Sequence, residues 1–245
     1  MNTLCFDFGN TRQKAAFFQN AKLIEIFIFE NGSVESIGSI LKNLDIQNTI
    51  LSSVIDHDPE IENLLGSKTK FHKLNHLSSL PFTTPVGKPE TIGADRLALS
   101  AAAVYFFPKQ HNLVIGMGSC ITYNFINADH EFLGGGISPG MEMRMKALNQ
   151  FTAKLPIVKP DGNVPLVGYD TVSNILSGVV IGMANEIDGF INAYKERYSN
   201  FNVHLTGGDL VYLAPHLKNQ IFADPELIFK GLYAISEVNN QADKQ

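Results

Sequence analysis

Residues 4–18 read LCFDFGNTRQKAAFF, and this stretch leaves the chain few ways to begin. Leu4, Cys5, Phe6 and Phe8 form an apolar run of strand length, Gly9-Asn10-Thr11 is a turn signal, and residues 15–18 resume an apolar run. The pattern predicts a β-hairpin whose turn is bracketed by a carboxylate, Asp7, and a cation, Lys14. A turn rich in Gly, Asn and Thr directs backbone N–H groups at open space. With a hydroxyl and an ammonium nearby, such a turn can hold phosphate oxygens. A carboxylate at the strand end can hold a magnesium ion through water. An Asp-x-Gly hairpin is equally a plain structural turn, so this stretch alone does not decide between the two.

An echo follows roughly 110 residues later. Residues 113–126 read LVIGMGSCITYNFI: an apolar strand runs into Gly118-Ser119, and residues 121–126 read as the return strand. Two glycine-and-hydroxyl hairpins, each opening one half of the chain, predict a duplicated domain. The two turns would face each other across a cleft and grip one polyphosphate from both sides.

At 245 residues the chain suits one large domain or two small ones and can bury a substantial core. The net charge is −5 and the cations are scattered, as at Lys68, Lys70 and Lys73, which argues against a nucleic-acid or anionic-membrane surface. Cys5 and Cys120 both fall in predicted strands and read as small buried hydrophobes in a reducing compartment. No Cys/His spacing resembles a zinc site. The N-terminus enters a strand at once, without the basic and apolar regions of a secretory signal. The longest apolar stretch, residues 97–107, is too short to span a bilayer. The expectation is a soluble cytoplasmic protein with neither nucleic-acid nor membrane partners.

Along the chain, residues 22–29 read as a third strand, and Ser33 can cap a helix carrying Val34, Ile37, Ile40, Leu41 and Leu44 at helical spacing. Residues 48–54 form a strand, Asp58-Pro59-Glu60 starts a helix that stops at Gly66, and residues 70–74 form a short strand. The proline-rich loop 80–89 leads into Ile92-Gly93-Ala94-Asp95-Arg96, from which a helix runs through Phe107. In the second half a strand is expected at 130–133, then a glycine loop, with Ser138-Pro139 starting a helix through Asn149. Asp170 caps the longest helix, whose stripe is Val172, Ile175, Leu176, Val179, Met183, Ile187, Phe190 and Tyr194. After a strand at 201–205, Thr206-Gly207-Gly208-Asp209 turns into a helix. Asp224-Pro225 opens the last helix, through about Ser236, with a frayed tail at 237–245.

With these motifs in order, the chain resembles type III pantothenate kinases, members of the superfamily of acetate and sugar kinases, Hsp70 and actin. Residues 7–11, DFGNT, look like the family's first phosphate motif, and residues 93–96, GADR, match its Gly-x-Asp-Arg motif. Residues 118–122, GSCIT, look like the second phosphate motif, and Gly207-Gly208-Asp209 like the adenosine-side turn. Residues 134–140 and 147–156 are also characteristic. The resemblance spans nearly the whole chain. It implies an α/β fold of two duplicated RNase H-like domains with mixed sheets, residues 1–110 and 111–245, and a ligand cleft between them. It implies transfer of the ATP γ-phosphoryl group to the primary hydroxyl of pantothenate, the first step of coenzyme A synthesis. The implied cofactors are ATP with Mg2+ and a monovalent cation, K+ or NH4+. The implied assembly is a homodimer whose interface completes the pantothenate pocket.

Carried over residue by residue, the resemblance makes Asp95 the catalytic base. Its ATP-binding residues are Asp7, Phe8, Gly9, Asn10, Thr11, Arg12, Gln13, Lys14 and Ser119, the last replacing the family's usual Thr and keeping the hydroxyl. Its substrate-binding residues are Gly93, Ala94, Asp95, Arg96 and Thr171, with Thr171 supplied by the other subunit. Asp95 also suits an N-cap, Arg96 a plain ion pair with Asp95, and Thr171 an ordinary first helical turn. Two positions depart from the family pattern. Gly116 stands where an acid usually holds the monovalent cation, and Val86 stands near the place of a loop tyrosine. A degenerate ATP-binding homologue with a regulatory role, or a kinase of another small hydroxyl substrate, are the alternatives.

Overall fold

The structure is a computed structural model that describes residues 1–160 and 162–242. In chain order the first elements are β1 (Asn2–Phe8), β2 (Gln13–Gln19), β3 (Lys22–Phe29), α1 (Val34–Asn43), β4 (Asn48–Ser53), α2 (Pro59–Lys68), β5 (Lys70–Lys73) and α3 (Ala94–Phe106). Then come β6 (His111–Met117), β7 (Cys120–Ile126), β8 (Phe132–Pro139), α4 (Met141–Gln150), α5 (Thr171–Leu176) and α6 (Gly182–Lys195). The last are β9 (Phe201–Thr206), α7 (Leu210–Leu213), β10 (Phe222–Ala223) and α8 (Leu227–Ala242). The chain divides into two compact units.

Each unit holds a five-stranded mixed sheet, and the two sheets share one topology. The first has the order β3-β2-β1-β4-β5, the second β8-β7-β6-β9-β10. In each, the opening strand pairs antiparallel with the next one, across the hairpin, and parallel with the fourth. The expected duplication is therefore visible strand by strand.

One expectation about the units is corrected. The first unit takes Met1–Lys109, but also Asp129–Leu133 and the C-terminal segment from Glu226. The reason is packing. Helix α8 lies along α3 and β1, and a Cβ at Gly231 would sit 1.8 Å from the Ala98 carbonyl oxygen. Only glycine permits that approach. Residues 129–133 are tied to the loop before α3: the Thr83 N–H donates to the His130 carbonyl, and the Phe132 N–H to the Thr83 carbonyl.

In the first unit Leu4, Phe6 and Phe8 on one face of β1 pack with Leu51, Ile37, Ile61 and Leu65. Strand alternation then places Thr3, Cys5 and Asp7 on the other face. That face meets α8, whose Tyr233 stacks on Phe18, the register partner of Thr3. In the second unit Ile115, Met117, Tyr123 and Phe125 pack with Val179, Met183, Ile187 and Ile191.

The caps expected at Ser33, Asp58 and Asp170 are present, each accepting a backbone N–H of the first turn. Four local expectations are corrected. The glycine run is not a loop but part of β8, and α4 begins after Gly140 with no side-chain cap. A Cβ at Gly135 would lie 1.9 Å from the Tyr123 carbonyl oxygen, so glycine lets the strand press against its neighbour. The helix after Asp170 is interrupted by a π-helical segment, Ser177–Ile181. The last helix continues past Ser236 to Ala242, and residues 243–245 of the expected tail lie outside the described residues.

Candidate active site

Asp7 stands near the end of β1, opposite Lys14 on β2 and in register with Ser52 on β4. All three therefore project from the same face of the first sheet. The Asp7 carboxyl is pushed up to about 7, chiefly by burial and then by the charge of Asp95, with Lys14 opposing both. Asp95 is in the first turn of α3, on the same unit. Its carboxyl is raised by burial and held back by the Arg96 backbone N–H and the Arg96 guanidinium. Two carboxyls thus sense each other in a poorly solvated place, with one cation beside each. Such a cluster favours a bound cation or a proton in transit.

The start of α3 explains why the second carboxyl sits where it does. The N-cap is Gly93, not Asp95, and a Cβ on Gly93 would lie 2.5 Å from Asp95 Oδ1. Glycine leaves the room into which the carboxylate folds back over the helix end. Ala94 is buried, and Arg96 extends over the Phe132 ring, its guanidinium carbon 5.5 Å from the ring centre.

The first turn is closed by the Gly9 N–H donating to the Arg12 carbonyl (3.1 Å). Asn10, Thr11 and Arg12 are exposed on it. The two flanking residues are engaged in the fold. Phe8 is fully buried with its ring edge-on to Phe6 and His57. Gln13 Oε1 accepts the Gly32 N–H (2.6 Å), bracing the loop before α1.

In the second unit the Gly118-Ser119 turn is crowded by backbone. The Gly140 N–H donates to the Ser119 carbonyl (3.1 Å), and a Cβ at Gly140 would meet the Gly118 oxygen at 2.2 Å. Gly207, with φ of +114°, lies so close to Met117 that a Cβ would fall 2.1 Å from its carbonyl oxygen. The Asp209 N–H donates to the same Met117 carbonyl, and Asp209 Oδ2 accepts the Met141 N–H. The hairpin, the start of α4 and the Gly207-Gly208-Asp209 turn thus converge with little side-chain bulk, a shape that suits a ligand lying on backbone. Gly116 has Thr122 and Thr206 as its register partners, both buried.

Thr171 is the first residue of α5, exposed, behind a capping box formed by Asp170 and Ser173. Leu166, Val167, Tyr169 and Val172 around it are exposed apolar side chains. Asp7, Lys14, Asp95 and Arg96 are brought together in the first unit. Ser119 and Thr171 belong to the second. Sequence reasoning missed Ser52 and Phe132. Pairing the strands by their apolar alternation would have placed Ser52 beside Asp7; Phe132 carries no signal of its contact.

Among the described residues no three metal-ligating side chains cluster, and no helix is long and apolar enough to cross a membrane. A divalent ion suits this site on other grounds: one carboxylate facing a second, with a buried unpartnered hydroxyl at Ser52 beside it, fits an ion held largely by water and substrate phosphates.

The profile of a family described as type III pantothenate kinase matches residues 3–193. A type III pantothenate kinase of Christiangramia forsetii is 41% identical over 238 residues, covering 96% of this chain and 98% of that protein. Among solved structures, component A of the (R)-2-hydroxyglutaryl-CoA dehydratase of Acidaminococcus fermentans superposes with a TM-score of 0.57 at 13% identity, covering all of both chains. A glucokinase from an Antarctic psychrotroph gives 0.52 at 10% identity, covering 96% of this chain and 98% of that one. These two likenesses speak to the fold alone.

Proposed function

The chain belongs to the type III pantothenate kinase family, and we propose how its residues divide the work of that family's reaction. It is a kinase that phosphorylates pantothenate in coenzyme A biosynthesis, using ATP and a divalent metal. Phosphoryl transfer needs positioning, charge neutralisation and an acceptor for the hydroxyl proton. Asp95 is the acceptor. Its carboxyl is raised by burial, which makes it a better base than an exposed aspartate. Arg96 is the fork for polar groups of pantothenate, aimed by the Phe132 ring. Gly93 and Ala94 let the substrate approach the backbone.

Lys14 and the exposed residues Asn10, Thr11 and Arg12 contact phosphate oxygens, and Gly9 gives the turn its shape. Phe8 and Gln13 serve ATP by anchoring that turn. Ser119 supplies a hydroxyl in the second turn. Asp7 would hold Mg2+ through water; the ion, when bound, neutralises phosphate charge. A monovalent cation, K+ or NH4+, would find no side-chain charge at Gly116, whose register partners Thr122 and Thr206 are neutral, so its effect here is weak. Thr171 completes the pocket of a second copy in a cytoplasmic homodimer, and the exposed apolar residues around it support that reading.

The observation that carries the assignment of the site is the Asp7–Asp95 pair with its two cations, in the expected motifs. ATP consumption measured with and without pantothenate tests it: consumption should depend on pantothenate. Consumption without it, or none at all, contradicts the proposal.

A further inference from the structure

Ser52 is fully buried, and its hydroxyl has no hydrogen-bond partner. A buried polar group left unpaired is costly, and replacing it by an apolar one of similar shape is neutral or better, so its presence asks for a reason. Its neighbour Ser53 shows what a structural serine does in this strand. Ser53 Oγ donates to the Ile55 carbonyl (2.9 Å) and pairs with His57 Nδ1 (3.0 Å). Ser52 does neither.

The register says where the hydroxyl is directed. Phe6 and Leu51 are partners and both lie in the core beneath α1 and α2. The next pair, Asp7 and Ser52, therefore points the other way, with Lys14 on the third strand of the same row. Helix α3, which carries Asp95, packs against β4 on this side. Thr3 Oγ1 and Asn48 Nδ2 are also unpartnered, but they form the pair at the far end of the same two strands, four residues from Asp7. Among the described residues Ser52 is the unpaired hydroxyl in register with a candidate metal-side carboxylate.

Resting on the kinase reading above, we infer that Ser52 is a positioning residue for the metal–nucleotide: its hydroxyl donates to the Asp7 carboxylate when that carboxylate carries the hydrated magnesium ion of ATP. A hydroxyl with no partner in the fold is reserved for the loaded state. A donor to a charged acceptor is among the stronger hydrogen bonds, and it fixes which oxygen of Asp7 remains for the ion's water.

The test compares the wild-type chain with Ser52→Ala and Ser52→Thr. Thermal midpoints are measured without nucleotide or metal. Calorimetric affinities are measured for ATP in EDTA and for ATP with excess Mg2+. The expectation is that Ser52→Ala melts at or above the wild-type temperature and binds ATP in EDTA as wild type does. It should bind MgATP about tenfold more weakly, and Ser52→Thr, which keeps the hydroxyl, should recover most of that loss. A Ser52→Ala chain that melts lower while its MgATP affinity is unchanged would make the residue structural and overturn the inference. Unchanged values in both measurements would overturn it too. A wild-type chain that binds no MgATP would instead overturn the kinase reading, and the inference with it.

Discussion

The guanidinium carbon of Arg96 lies 5.5 Å from the centre of the Phe132 ring, so the residue next to the candidate base is held by an aromatic face. Phe132 is itself buried, with Phe82 tilted against it at 6.4 Å. A fixed ring limits where a long, rotamer-rich side chain can point. Phe132→Leu keeps an apolar filler and removes the π face, an interaction of about 0.5–2 kcal/mol. The expected result is a KM for pantothenate raised roughly two- to thirtyfold, with a smaller change in kcat. Steady-state kinetics in both substrates checks this; a fall in kcat at constant KM would count against it.

His204 makes stability depend on pH. It is buried on β9, its Nε2–H donating to Asn112 Oδ1 (3.1 Å) and its ring stacked on Phe222. Burial lowers it from 6.5 to about 4, against the opposing charge of Asp224. An unfolded chain therefore takes up a proton near pH 6.5 that the folded chain refuses until about 4. The stability that the neutral ring contributes is present above pH 6.5 and is lost as pH falls through that window, a few kcal/mol in all, to order of magnitude. His204→Asn should lose less stability than wild type between pH 7.5 and 5, read from urea midpoints. Equal losses would show that the ring is not refusing the proton.

How much of this is legible in the sequence depends on the kind of signal. The first hairpin, the caps at Ser33, Asp58 and Asp170 and the second hairpin were readable because each is local: a turn residue, or a cap a few residues from the N–H it accepts. Asp7, Lys14, Asp95 and Arg96 were readable as members of motifs. What lay hidden depends on distant neighbours. Gly134 and Gly135 look like a loop until the Tyr123 carbonyl is placed beside Gly135. Helix α8 looks like the end of the second half until Gly231 meets Ala98. Phe132 is an ordinary strand aromatic until Arg96 lies over it.

Shared sites between two copies make a distinct expectation. Thr171 opens α5 on an exposed surface with apolar neighbours. Mixing Asp95→Asn protomers with Thr171→Ala protomers should restore part of the activity, because some heterodimers carry one intact site. Sedimentation at assay concentration provides the second readout, and a monomer there would contradict the proposal.

Monovalent ions offer another. Gly116 provides no side-chain charge, and its register partners Thr122 and Thr206 are neutral. A missing unit charge a few ångströms from an ion removes about 4 kcal/mol at an effective dielectric of about 20. Rates at fixed ionic strength should therefore differ only a few-fold among potassium, ammonium, sodium and a bulky organic cation, and Gly116→Asp should enlarge the response. A steep requirement for potassium or ammonium in the unsubstituted chain would contradict this.

The proposed chemistry turns on Asp95. Its position behind Gly93, its raised carboxyl and its electrostatic coupling to Asp7 support the proposal that it takes the hydroxyl proton of pantothenate. The direct measurement is formation of phosphopantothenate by Asp95→Asn beside wild type, with ATP affinity measured on the same preparations. The expected result is turnover lower by about a hundredfold or more at an ATP affinity close to wild type. Turnover near the wild-type value would remove Asp95 from the chemistry and contradict the account.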